Sequence, residues 1–313
     1  MLRTNRQNLV EKAVAGKVSQ PRMALKNPWL IDPSGTPHVM PGTGGITYNV
    51  SIGDSALDFV GDHIEPCVSV IGIEDDRDRT GVGALSILSC VGNEARIVSG
   101  QSAGAKGVVT GKHGGVEHVI VDFPPAALDK LGIGDTVQIR AVGQGLVIKD
   151  FPEVHVMNLD PDLLGKLGIT TQGGQMVVPV THVVPASIMG SGIGSRHSYS
   201  GDYDMQLADR EMVRKFGLQN LRIGDLIAIT DADCRYGRSI RSGALTIGVV
   251  IHGSCLTSGH GPGVTVLMTT VRKLIVPKIE EGANLGSLLG IGRGKRPAGR
   301  PRGRRRTPRS HGG

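Results

Sequence analysis

From Ile46 onward, short runs of Val, Ile and Leu alternate with Gly, Asp, Asn and Pro. ITYNVSI leads into a turn at Gly53-Asp54, CVSVIGIED ends in the charged stretch DRDRTG, and ALSILSCVG, ARIVSG, KGVVTG and HVIVDF continue the series. Runs this short, punctuated this often, predict closely spaced strands of a sandwich or barrel and not βαβ units. The expected fold is mainly β, with barrel- or sandwich-like subdomains and a few short helices.

Two helices stand out from that pattern. Leu9, Val10, Ala13 and Val14 have helical spacing and predict a short helix in an N-terminal arm, residues 1–30. Ala208, Met212, Val213 and Phe216 predict a second over 205–216, with Gly217 as its stop. An internal echo adds a domain division. LDKLGIGDTVQIRA (128–141) and LQNLRIGDLIAITD (218–231) each join paired leucines to an I-G-D corner and an alternating strand, and LLGKLGI (163–169) is a weaker copy. The chain therefore divides into the arm, an N-terminal β domain (31–150), a C-terminal β domain (151–280), and a linker with a disordered basic tail (281–313).

Composition narrows the function classes. Forty-seven glycines in 313 residues, with no strict period, fit tight turns and exclude collagen. Aromatics at 3% leave no stacking platform for single-stranded nucleic acid. The net charge of +7 is a property of one end: residues 293–313 hold nine of the 35 Lys and Arg and none of the 28 Asp and Glu. Such a tail binds polyanions weakly near physiological salt, so nucleic acid is at most a weak partner. The four cysteines are far apart and form no CxxC pair, against a disulfide framework or a structural zinc site. There is no apolar run near 18 residues and no signal-peptide core at the N-terminus, so a cytoplasmic protein without membrane association is expected.

The polar stretches between strands hold the candidate chemistry. GSGIGSRHSYSGDYDMQ (190–206) has three spaced glycines but neither the helix of a dinucleotide loop nor the lysine of a Walker loop. Its glycines read instead as a flexible segment delivering His197, Asp202 and Asp204 to one place. Asp202 and Asp204 share a face if extended, whereas capping of the following helix would also explain Asp204. His63 and Glu65 are likewise two apart and could bind a metal or pair as strand-end polar groups. DADCRYGRSIRSG (231–243) sets Asp231 and Asp233 near Tyr236, Arg238 and Arg241; arginine forks suit anionic ligands, and Arg–Asp pairing within the loop is the plainer alternative. The outgoing strand ends at His252, and SGHGPGVT exposes His260 among glycines.

HVMPGTGGITYNVSIGD, GDHIEP, SGIGS…GDYDMQ, DADCRYGRSIRSGALTIGVVIHG and GHGPGVT, in that order over about residues 20–275, resemble a prokaryotic family known as domain of unknown function 4438. The resemblance implies a β-rich fold with N- and C-terminal parts and brings no activity with it.

The residues point to a small-molecule enzyme, a hydrolase or lyase acting on an anionic or amide-bearing metabolite. Catalytic roles are expected for His197, Asp202, Asp231 and His260. Substrate contacts are expected from Arg238, Arg241, Gly192, Gly194 and Tyr236. Metal ligation is expected from Asp204, Asp233 and His252, with His63 and Glu65 as further ligands of Mg²⁺, Mn²⁺ or Zn²⁺. A homo-oligomer is expected. The rival is a non-catalytic ligand-binding or assembly protein whose Asp–Arg pairs are structural.

Overall fold

KGVVTGKH and HVIVD, two short runs on either side of a Gly-Gly turn, form an antiparallel hairpin, Lys106–His113 with His118–Asp122, in a computed structural model that describes residues 2–23, 28–73 and 80–295. This hairpin is one side of a closed six-stranded antiparallel barrel. Around the barrel, Lys12–Val18 pairs with Thr136–Ala141, then come Glu94–Ile97, Lys106–His113, His118–Asp122 and Cys67–Gly72, which returns to Lys12–Val18 through Gly16 opposite Gly72. Val68, Val70, Ala95, Ile97, Val109, Val119, Val121, Val137 and Ile139 fill its interior. The mainly β expectation holds.

Several local expectations are corrected. The helix expected over Leu9, Val10, Ala13 and Val14 does not form: beyond a 3-10 turn at Arg6–Asn8, Lys12–Val18 is the strand that closes the barrel, with Val14, Gly16 and Val18 turned inward and Lys17 outward. Tertiary pairing overrode a four-residue helical spacing. Within ITYNVSI only Ile46–Thr47 is strand. ALSILSCVG, read as a strand, lies largely in a helix, Thr80–Leu88. A short, uniformly apolar run carries no period that separates strand from helix. The second predicted helix is shorter, Arg210–Lys215, and Asp209 caps it, so capping does not account for Asp204. Gly217 does stop it, at φ 68°.

Helix Thr80–Leu88 crosses the barrel seam because two glycines thin the wall there. A Cβ on Gly16 would lie 2.6 Å from Val70 Cγ1 and 2.8 Å from Leu85 Cδ2, and one on Gly72 would overlap Val82 Cα. Gly72→Ala is expected to cost about 1–3 kcal/mol as overpacking. Gly83→Ala in the same helix meets nothing within 4 Å and should gain about 0.8–1 kcal/mol from helix propensity. Urea midpoints at constant slope measure both.

The I-G-D echo is a repeated corner. Asp54, Asp135 and Asp225 each donate their amide to the carbonyl three residues back, at 3.1 Å in every case. Each carboxylate accepts the amide of that same residue, from Ser51, Gly132 and Arg222, at 2.9, 2.8 and 2.9 Å. The intervening glycines adopt φ of 92°, 87° and 91°, a conformation that favours glycine. LLGKLGI keeps its helical turn but lacks the aspartate.

The C-terminal part is built on a mixed sheet in the order His155–Val156, Gly263–Thr270, Ser239–Val250, Leu226–Asp233 and His182–Pro185, with Tyr203–Asp204 beside the start of Gly263–Thr270. The two parts meet where Lys112 N donates to Thr265 Oγ1 at 3.0 Å and Ile251 fills the space left by Gly111. Residues from 281 are not a linker as far as the structure describes them. Leu285–Leu289 is a helix capped by Asn284, Leu285 and Ile291 are buried, and Arg293 binds Asp54 at 2.8 Å. Residues 296–313, most of the basic tail, lie outside the described residues. Among the described residues no helix is long and apolar enough to cross a membrane.

Candidate metal centre

The junction of the two parts gathers four histidines and two aspartates. From the N-terminal part come His63, in the loop before Cys67–Gly72, and His113, the last residue of its strand. The C-terminal part supplies Asp202 and Asp204 on either side of Tyr203, His252 just beyond Ser239–Val250, and His260 in the SGHGPG loop. Both aspartates reach the centre, the outcome their two-residue spacing predicts for extended chain.

An acceptor fixes three of the rings from behind. His63 Nδ1 is 2.7 Å from Asp62 Oδ1, His113 Nδ1 is 2.7 Å from Glu65 Oε1, and His252 Nδ1 is 2.8 Å from the Gly253 carbonyl. For His252 the Gly263 amide also approaches Nδ1, at 3.3 Å; the shorter carbonyl contact is the better bond and places the proton on Nδ1. Each Nε2 lone pair is then left facing inward, the arrangement by which outer carboxylates and carbonyls orient metal-binding imidazoles.

Carboxylates stand opposite those nitrogens. His252 Nε2 lies 2.8 Å from Asp202 Oδ2, and Asp202 Oδ1 accepts the Gly114 amide at 2.8 Å. Asp204 Oδ2 is 3.1 Å from His260 Nδ1 and 3.6 Å from His63 Nε2. The His113 and His252 ring centroids are 4.3 Å apart, and those of His63 and His252 5.0 Å. His113, Asp202 and His252 each offer a donor atom within 4.8 Å of the other two, as do His63, Asp204 and His260.

Electrostatics follows from that crowding. Burial by itself would raise the Asp202 carboxyl, but His113 and His252 hold it far below the usual carboxylate range. Burial would likewise lower His63, yet hydrogen bonds to Asp204, Asp62 and Cys255 push it up to about 12. Without a cation the inward lone pairs attract protons, and a metal ion would compete for the same positions.

Glu65 is not a co-ligand of His63, as its spacing suggested. Its carboxylate is fully buried and accepts from Gly44 N (2.7 Å), Ser69 Oγ (2.5 Å), His113 and His118. The left-handed backbone at His63 (φ 51°) breaks the strand on which the two would have shared a face. Glu65 therefore orients His113.

The centre opens into a cavity of about 510 Å³ lined by Gly192, Asp204, Arg238 and His260 among others. Arg238 is only 6% exposed, and its Nε has no hydrogen-bond partner. Gly192 makes room for it, since a Cβ there would stand 2.8 Å from Arg238 Nη1. Among the described residues no carboxylate is hydrogen-bonded to this buried guanidinium, although the nearby Asp202 and Asp204 favour its charge, and a ligand in the cavity would supply the missing acceptor.

The remaining expected residues lie elsewhere. Asp231 Oδ1 accepts the Gly243 amide at 2.7 Å across its own hairpin. Asp233 is bound by Arg235 at 2.9 and 3.0 Å and by Arg241 at 3.5 Å. Arg241 and Tyr236 line a separate cavity with His155 and Arg272. Gly194 sits in a turn, its amide bonded to the Arg238 carbonyl, and the Nδ1 of His197 accepts the Tyr199 amide. None of Asp231, Asp233, Arg241, Tyr236, Gly194 and His197 lines the cavity over the centre. The pairs at 231–243 are short-range partners, because a hairpin brings its own charges together before any others.

Sequence reasoning missed His113, His118 and Asp62. The signal was KHGGVEH (112–118), two histidines flanking a Gly-Gly turn, which resembles any hairpin until Glu65 is placed against both rings.

Among solved structures, the chain is similar to one titled "Crystal structure of TM1086", with 46% identity over 91% of this chain and 98% of that one and a TM-score of 0.86. No curated protein matches it. Family models for the N-terminal and C-terminal parts of a domain of unknown function, DUF4438, match residues 29–165 and 166–289. With both models matched in order across most of its length, the chain belongs to the DUF4438 family.

Proposed function

We propose that this protein is a divalent-metal-dependent enzyme, of hydrolase or lyase type, acting on a small anionic molecule. One observation carries the reading: three imidazoles have Nδ1 fixed by an oxygen acceptor, the Nε2 atoms of His252 and His63 face the buried carboxylates of Asp202 and Asp204, and His113 places a donor atom within 4.8 Å of Asp202. His113, Asp202 and His252 would hold the ion. Their mixed nitrogen and oxygen donors favour Mn²⁺, Fe²⁺ or Zn²⁺ over Mg²⁺. A bound ion there supplies Lewis acidity and lowers the pKa of a coordinated water.

The chain's own groups do the rest. Glu65 and the Gly253 carbonyl hold the imidazoles in the ligating tautomer. Arg238 presents an unpaired guanidinium edge for a carboxylate or phosphate group of the substrate. The enclosing cavity, about 510 Å³, suits a metabolite and not a polymer.

Chelator-stripped protein reloaded with Mn²⁺ or Zn²⁺ should recover bound metal and gain thermal stability, and a screen of carboxylate-bearing amides and esters should then find turnover. Metal uptake without turnover on any of them would favour the non-catalytic binding protein. Malonate or inorganic phosphate should further stabilise the metal-loaded protein. Arg238→Gln should weaken the apparent affinity for that anion at least about tenfold, since charge-assisted bonds of this kind contribute about 1.5–3 kcal/mol, while metal content stays the same. An unchanged anion response would refute the role given to Arg238.

A further inference from the structure

We infer that the centre holds two divalent cations, with the Asp204 carboxylate between them. The inference rests on the metal-centre reading above and adds the second site. Of three groups whose donor atoms lie within 4.8 Å of one another, two have the same composition, His113–Asp202–His252 and His63–Asp204–His260, and the third, Asp62–His63–Cys255, shares His63. Each set has the three protein ligands that leave a position open for water or substrate.

Asp204 connects them. Its Oδ2 faces the second set, 3.1 Å from His260 Nδ1 and 3.6 Å from His63 Nε2. Its Oδ1 faces the first, 4.0 Å from His252 Nε2. A carboxylate presenting one oxygen to each of two triads matches sites whose paired ions stand about 3.5–4 Å apart.

The two sets differ in burial. The first is fully buried, whereas His63 is partly exposed and the His260 side chain is 38% exposed. The inner ion is therefore held tightly and the outer one exchanges.

Mn²⁺ titration of the stripped full-length protein, read by equilibrium dialysis and EPR, tests this. Two Mn²⁺ per chain, in separate tight and weak phases and with an exchange-coupled spectrum at saturation, are expected. His260→Ala, at an exposed position, should remove the weak phase alone. A single Mn²⁺ per chain with a mononuclear six-line spectrum, or an unchanged weak phase in His260→Ala, overturns the second site and leaves the first intact. No Mn²⁺ uptake overturns both readings. The wild-type stoichiometry and spectrum decide the matter even if the variant fails to fold.

Discussion

Asp202→Asn is expected to remove most of the stabilisation that a divalent metal would confer on this protein. Asp202 is the carboxylate of the inner triad, 2.8 Å from His252 Nε2, and is itself fixed by the Gly114 amide. Losing a partner outside the ligand set costs metal sites about 10–100-fold in affinity, so loss of the ligand itself should cost at least about 100-fold. At a metal concentration of about 100 times Kd the wild type gains about 2.7 kcal/mol. The variant under the same conditions should gain about 0.4 kcal/mol or less. Differential scanning calorimetry with and without Zn²⁺ reads the difference. Asparagine keeps the shape and the oxygen that meets Gly114, so the fold should survive. Equal metal stabilisation in the two proteins would show that Asp202 is not a ligand.

Gly263→Ala is expected to abolish metal uptake without replacing any ligand. Gly263 lies at the base of the centre, and a Cβ there would overlap Asp202 Oδ2 and His252 Nε2. Both side chains would have to leave the positions in which they meet. The buried strand offers no room to absorb the shift, so the overpacking should also cost about 1–3 kcal/mol. Ala at Gly104, whose Cβ would meet nothing within 4 Å, is the control for added volume; its φ of 94° gives it a backbone cost but no effect on metal. Full metal occupancy in Gly263→Ala would contradict the close packing described for the centre.

How much of this was legible beforehand depended on the range of the interaction. The hairpin of Lys106–His113 with His118–Asp122 and the long pair Leu226–Asp233 with Ser239–Val250 followed from short apolar runs set between turn residues. The I-G-D corners followed from a local rule, an aspartate reaching the amide three residues back. Lys12–Val18 and Thr80–Leu88 were misread because their states are set by partners far away in sequence: the barrel seam for one, the glycine-thinned wall for the other. The site divided in the same way. Spacing and loop chemistry singled out Asp202, Asp204, His252, His260 and Arg238, which the fold brings to one place. Asp231, Asp233 and Arg241 were drawn in by the same chemistry, though their charges are satisfied within their own hairpin. His113 was invisible because only the meeting of the barrel with the C-terminal sheet sets it beside His252, and no local pattern records that contact.

Anomalous diffraction from crystals soaked in Mn²⁺ or Zn²⁺, collected at the absorption edge of the metal, tests the central claim most directly. A strong peak among His113 Nε2, His252 Nε2 and Asp202 is the predicted result. Saturating metal that leaves this position empty, with His252 still bonded directly to Asp202, would contradict it.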